Sequence, residues 1–198
     1  MTNNTFLRCP ILCSKKTYII LAFVFVFVFT VFAAALTLST LPNYLGSAGH
    51  DSQWYIKLSE GRISEVIQPF SGRILYPFLA GIIGKSFSLD VSQSFFFLGT
   101  ASLFLFLLIN VFVTRDTLRR PLLIVPLFFL PYFLETTKEL FLPDIFYVFL
   151  TALFFFFLFR GQERAGLVIL FLMFLTREST ILPALILLGL SAWRSKKS

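Results

Sequence analysis

The stretch QSFFFLGTASLFLFLLINVFVT (residues 93–114) is uncharged for 22 positions and runs directly into RDTLRR (115–120). A run of about 20 apolar residues spans the hydrocarbon core of a bilayer, and basic residues at one end mark the side that stays in the cytoplasm. Working outward from this run, the charges of the whole chain sort by side. Arg8, Lys15, Lys16, Arg115, Arg119, Arg120, Arg160, Arg164, Arg194, Lys196 and Lys197 fill alternate gaps between apolar runs, with Asp116 and Glu163 beside them, for a net +9. The remaining gaps hold six basic residues against eight acidic ones, a net −2, and together the two sets give the chain's +7. Short basic loops resist translocation, so both termini are expected inside and the acidic loops outside. The pI near 9.7 then reflects topology and affinity for anionic headgroups rather than for nucleic acid.

Composition leads to the same class. With 57% hydrophobic residues and 28 phenylalanines among 198, a water-soluble domain would lack the polar groups to cover itself. A membrane β-barrel is disfavoured because its strands alternate apolar and polar residues, whereas these runs are apolar on every face. The one alternating stretch here, FVFVFVF (23–29), alternates two apolar types and reads as helix. The expected fold is therefore an all-α membrane protein of one domain (1–198), with about six transmembrane or half-membrane helices.

The passes are expected at 17–40, 93–114, 121–134, 141–159, 166–175 and 181–193, with a large outer loop at 41–92. Ala33 to Ala35 resemble a cleavage site, but the apolar run before them is longer than a signal peptide's, which favours an uncleaved anchor. At ~1.5 Å per residue, 121–134 reaches about 21 Å and 166–175 about 15 Å, short of the roughly 30 Å core. The turns ETTKEL (135–140) and TREST (176–180) must then sink below the outer surface, which requires a cavity open to the outside. Pro126 and Pro131 fit a kinked entry into it. A rival parse makes 166–193 one helix carrying Arg177 and Glu178 at mid-membrane, against the charge rule.

In the outer loop, Asp51 and Ser52 can cap a helix that sets Trp54, Ile56 and Leu58 near the membrane and Lys57 and Glu60 toward water, with Gly61 ending it. The segment GRILYPFLAGIIGK (72–85) has the length of an interfacial or re-entrant helix. The run His50, Asp51, Tyr55, Gly61, Pro69, Phe70, Arg73, Leu75 and Pro77 resembles the first outer loop of the GT-C class of integral-membrane glycosyltransferases. Leu142-Pro143-Asp144 at the head of a span, and Thr176-Arg177-Glu178-Ser179 at an outer turn, look like motifs of bacterial members, so the resemblance covers about 17–193. It implies an acidic residue facing the active site just after the first span, two loop helices lying on the membrane, and sugar transfer from a polyprenyl-phosphate carrier to an outer acceptor. GT-C enzymes usually have many more spans. This chain is either a compact variant, a relative whose protein partner supplies missing spans, or one that has lost the chemistry.

Inverting transfer needs a carboxylate to take the acceptor's proton and cations to stabilise the departing phosphate. Asp51 is the candidate base; Arg73 or Arg177 can grip phosphate bidentately, and Lys138 can act as a point charge beside it. Tyr55 and His50 join the substrate-binding set, His50 as a second proton carrier or metal ligand. Asp51 with Asp144, Glu139 or Glu178 could hold a divalent cation, since hard cations prefer oxygen. Plainer roles stand beside these: a cap for Asp51, dipole complement for Asp144 behind Pro143, a local Arg177–Glu178 ion pair, and a solvated turn for Glu135 and Glu139. No Walker loop or H-E-x-x-H pair occurs, and Cys9 and Cys13 lack further ligands or a clear disulfide role. Two non-enzymatic functions compete with transfer: a six-span binding subunit of a transporter, and an accessory subunit docked on a larger enzyme.

Overall fold

The computed structural model describes residues 15–46, 51–117, 143–181 and 184–185; the expected pass at 121–134 lies outside them, as does most of 181–193. Among the described residues the only regular structure is helical. The elements are α1 (Lys15–Gly46), α2 (Ser52–Ser59), 3₁₀ turns at Ile63–Glu65 and Phe70–Gly72, α3 (Leu75–Phe87), α4 (Val91–Thr117), α5 (Asp144–Phe159), α6 (Glu163–Phe174) and a 3₁₀ turn at Glu178–Thr180.

The helix starts and stops follow from particular residues. Asp90 and Gln93 form a reciprocal capping box at α4: Gln93 N–H donates to Asp90 Oδ1 at 2.7 Å, and Asp90 N–H donates to Gln93 Oε1 at 3.1 Å. Gly61, at φ +82°, closes α2 as expected, with its N–H on Leu58 O and that of Arg62 on Lys57 O. Gly161, at φ +70°, does the same between α5 and α6 through Gly161 N–H to Leu158 O and Gln162 N–H to Phe157 O. After Phe174 the helical path breaks into the turn that holds Arg177 and Glu178, so the single helix over 166–193 of the rival parse does not form.

One helix among the described residues, Val91–Phe112, is long and apolar enough to cross a membrane, with mean hydropathy 2.3 over its most apolar 18 residues. Along α4 the buried positions include Ser94, Phe95, Leu98, Ser102, Leu103, Phe106 and Leu107, a stripe at helical spacing, while Phe97, Leu105 and Phe112 face outward. α1 contributes the stripe Ala22, Val26, Thr30 and Ala33 against it and exposes Phe23, Phe27 and Phe32. Val26 and Ala33 of α1, Leu103, Phe106 and Leu107 of α4, and Ile145 of α5 form one core cluster. A second joins Tyr55 and Leu58 of α2, Tyr76 and Ala80 of α3, Phe95, and Phe146, Phe154 and Met173 of α5 and α6. Hydroxyls inside these seams turn back on their own helices: Thr30 donates to Val26 O at 2.8 Å and Ser102 to Leu98 O at 2.6 Å. Apolar surroundings offer no other partner, and a hydroxyl left unsatisfied there would be costly.

In the loop, α2 buries Ser52, Tyr55 and Leu58. The expected Trp54, Ile56, Leu58 face has the period of a strand, whereas spacings of three place residues on one helix face. Asp51 makes no side-chain capping bond, which corrects the cap assigned to it. α3 lies where 72–85 is expected to be helical, with Pro77 in its first turn, where a missing N–H costs little.

Candidate functional site

Four stretches distant in sequence meet beside the C-terminal end of α6. The Tyr55 side chain is anchored in the second core, and its ring meets Phe70 edge-on at 5.8 Å. Phe70 in turn lies 5.3 Å beneath the Arg73 guanidinium, an aromatic shelf that sets the plane of the fork. Arg73 Nε donates to Glu178 Oε2 at 2.9 Å, Nη2 donates to Glu178 Oε1, and Nη1 donates to the Tyr55 hydroxyl oxygen at 3.1 Å. One main-chain bond fastens the same two stretches, Leu75 N–H to Leu175 O at 3.0 Å. One residue back from Glu178, Arg177 Nη1 donates to Asp144 Oδ1 at the head of α5. The backbone of this turn is held by Thr180, whose buried hydroxyl donates to Arg177 O at 2.7 Å.

The charges respond to this geometry. The hydrogen bonds from Arg73 hold the Glu178 carboxyl below its ordinary range, and the same contact raises the Arg73 guanidinium above its own. Burial pushes the Tyr55 hydroxyl up, outweighing the pull of Arg73, and the negative charge of Asp51 adds to the rise. Tyr55 is therefore a neutral phenol that accepts from Arg73, and that contact leaves its own proton unspent. Asp51 is exposed at the start of α2, close enough to influence Tyr55.

Of the residues singled out in the sequence, Tyr55, Arg73, Asp144, Arg177 and Glu178 are brought into this network and Asp51 lies at its edge. His50, Lys138, Glu135 and Glu139 fall outside the described residues. The expected local Arg177–Glu178 pair is replaced by crossed pairs, because adjacent side chains in a tight turn point apart: Arg177 to Asp144, Glu178 to Arg73. Among the described residues no three His, Cys, Asp or Glu side chains group as metal ligands, and Asp144 and Glu178 are each held by an arginine. The Phe70 shelf and the Leu75–Leu175 bond carry no local signal in the sequence: Phe70 stands three residues before Arg73, but nothing nearby announces the contact.

No family model, curated protein or solved structure matches the chain.

Proposed function

We propose that the chain is a multi-pass protein of a bacterial inner membrane, with six full or half passes and both termini cytoplasmic. In this reading it transfers a sugar from a polyprenyl-phosphate donor to an acceptor at the outer face. The observation that carries the proposal is the meeting of Tyr55, Arg73, Asp144, Arg177 and Glu178 from four separate stretches, all on the side that charge sorting makes external. Two arginine forks and an unspent phenol proton are suited to a phosphate, and Asp51 at the edge is suited to a proton. In the step itself, the acceptor's hydroxyl oxygen bonds to the anomeric carbon. The bond from that carbon to the phosphate oxygen breaks, polyprenyl phosphate leaves with the electron pair, and the hydroxyl proton passes to Asp51. Donor phosphate would compete with Glu178 for Arg73.

Purified protein in lipid nanodiscs, given a polyprenyl-phosphate sugar and membrane acceptors, tests this. Asp51→Asn should lower transfer by about 10²-fold or more, the scale of a lost general base, with helix content unchanged. Full activity in that variant refutes the base; no donor turnover by folded wild type refutes the transferase. A second reading, a non-catalytic subunit of a transporter or glycan-assembly complex, is favoured by one fact: each guanidinium already has a carboxylate. Stoichiometric co-purification of a larger membrane protein, without donor turnover, would select it.

A further inference from the structure

A recess of about 220 Å³ opens between the end of α2, the face of α3 and the start of α4, lined by none of the residues of the arginine network. Its floor is apolar, from Ala80 and Phe95, and Gly81 and Gly84 let α3 approach Ser59 and Ser94 closely at its edge. A Cβ at Gly84 would come within 2.8 Å of Ser94 Oγ, so the missing side chain is part of the shape.

The polar lining is sorted by chemistry. Ser59 and Ser94 spend their hydroxyl protons on Ile56 O at 2.7 Å and Asp90 O at 2.8 Å, so their oxygens offer the recess only lone pairs. Glu60 contributes a carboxylate: Arg62 engages its Oε2 at 2.8 Å, leaving Oε1 without a partner among the described residues. Lys85 contributes an ammonium that has no ion pair among the described residues. The lining thus presents several acceptors and one cation, the complement of a ligand with a cationic donor and an anionic group. Depth points to its source. Leu89 and Val91 line the recess, and Val91 begins the long apolar run of α4, which places the recess at headgroup level if α4 crosses the membrane.

We propose that this recess seats the headgroup of a phospholipid whose primary ammonium is joined to a phosphodiester. The ammonium is held by Glu60 and the serine oxygens, and the phosphate by Lys85. The inference rests on the membrane-crossing reading of α4, not on sugar transfer.

Native mass spectrometry of the full chain, released from detergent micelles holding equal amounts of ethanolamine, choline and glycerol phospholipids, tests it. The ethanolamine lipid should be retained over both others; Glu60→Gln should cut that preference by about tenfold, the scale of one charge-assisted hydrogen bond, and Lys85→Gln, which loses the phosphate contact, should lower retention of all three lipids by a similar factor. Equal retention of all three lipids, a preference unchanged in Glu60→Gln, or retention unchanged in Lys85→Gln overturns the proposal. Retention of only the glycerol lipid, lost in Lys85→Gln, also overturns it by reducing the recess to a cationic patch. Wild type that stays monodisperse without detergent removes the membrane reading of α4, and the proposal with it.

Discussion

The two ends of α6 are built by different means. The turn before it is closed locally: Gly161 takes the left-handed conformation, two main-chain bonds tie it to the end of α5, and Arg160 lies over Phe156 at 4.7 Å, one turn away. The turn after it has local bonds too, from Arg177 N–H to Met173 O and from Thr180 to Arg177 O, but it is also fastened from a distance, by an ion pair to Asp144, 33 residues earlier, and another to Arg73, 105 residues away from its partner. A local turn fixes only the chain's direction. A turn fastened to remote segments also brings their side chains together, and that gathering is what a site requires.

Substitutions at the two ends should separate these designs. The largest effect is expected from Arg177→Ala, which leaves the mostly buried Asp144 carboxylate without its cation; unfolding in detergent should show a loss of about 2–4 kcal/mol, only partly restored by lysine. Arg73→Ala should cost less, about 1–3 kcal/mol, because Glu178, with its side chain 57% exposed, can be rehydrated while the Tyr55 hydroxyl loses a donor. A double-mutant cycle of Arg73 with Glu178 should give a coupling well above that of an exposed surface pair.

Acid sharpens the contrast. Glu178's folded value is lowered, so its pairing contributes fully above the ordinary carboxyl value of 4.5 and is lost as pH falls through the lowered folded value. Glu178→Gln should remove that part of the acid-limb loss in a melting series, and Arg160→Ala should leave it intact. Smaller again is Gly161→Ala, at about 1 kcal/mol: nothing lies within 4 Å of the added methyl, so the cost is purely that of the left-handed backbone. Arg160→Ala should be least, about 0.5 kcal/mol, since its contact with Phe156 is exposed.

The same contrast explains what could be read from the sequence. The uncharged run 93–114 foretold the body of α4, and the charges at 160–164 and the TREST turn foretold the two breaks around α6, because each is written in a few consecutive residues. The face of α2 was misjudged because Trp54 and Ile56 look more apolar than Tyr55, yet helical geometry and the reach of the Tyr55 hydroxyl to Arg73 put Tyr55 inside. Arg73, Asp144, Arg177 and Glu178 were each legible as charges out of place near apolar runs. Their pairing was not, since it depends on how α5, α6 and the loop before α3 pack, and adjacency had suggested the wrong partner for Arg177.

In the proposed topology the arginine network and the Arg160–Arg164 turn lie on opposite sides of a membrane. Single cysteines at the exposed positions Ser64 and Gln162, treated in intact cells with a membrane-impermeant thiol reagent, test it directly. Ser64→Cys should be labelled and Gln162→Cys protected until the cells are opened. Labelling of both in intact cells, or of Gln162→Cys alone, would contradict it.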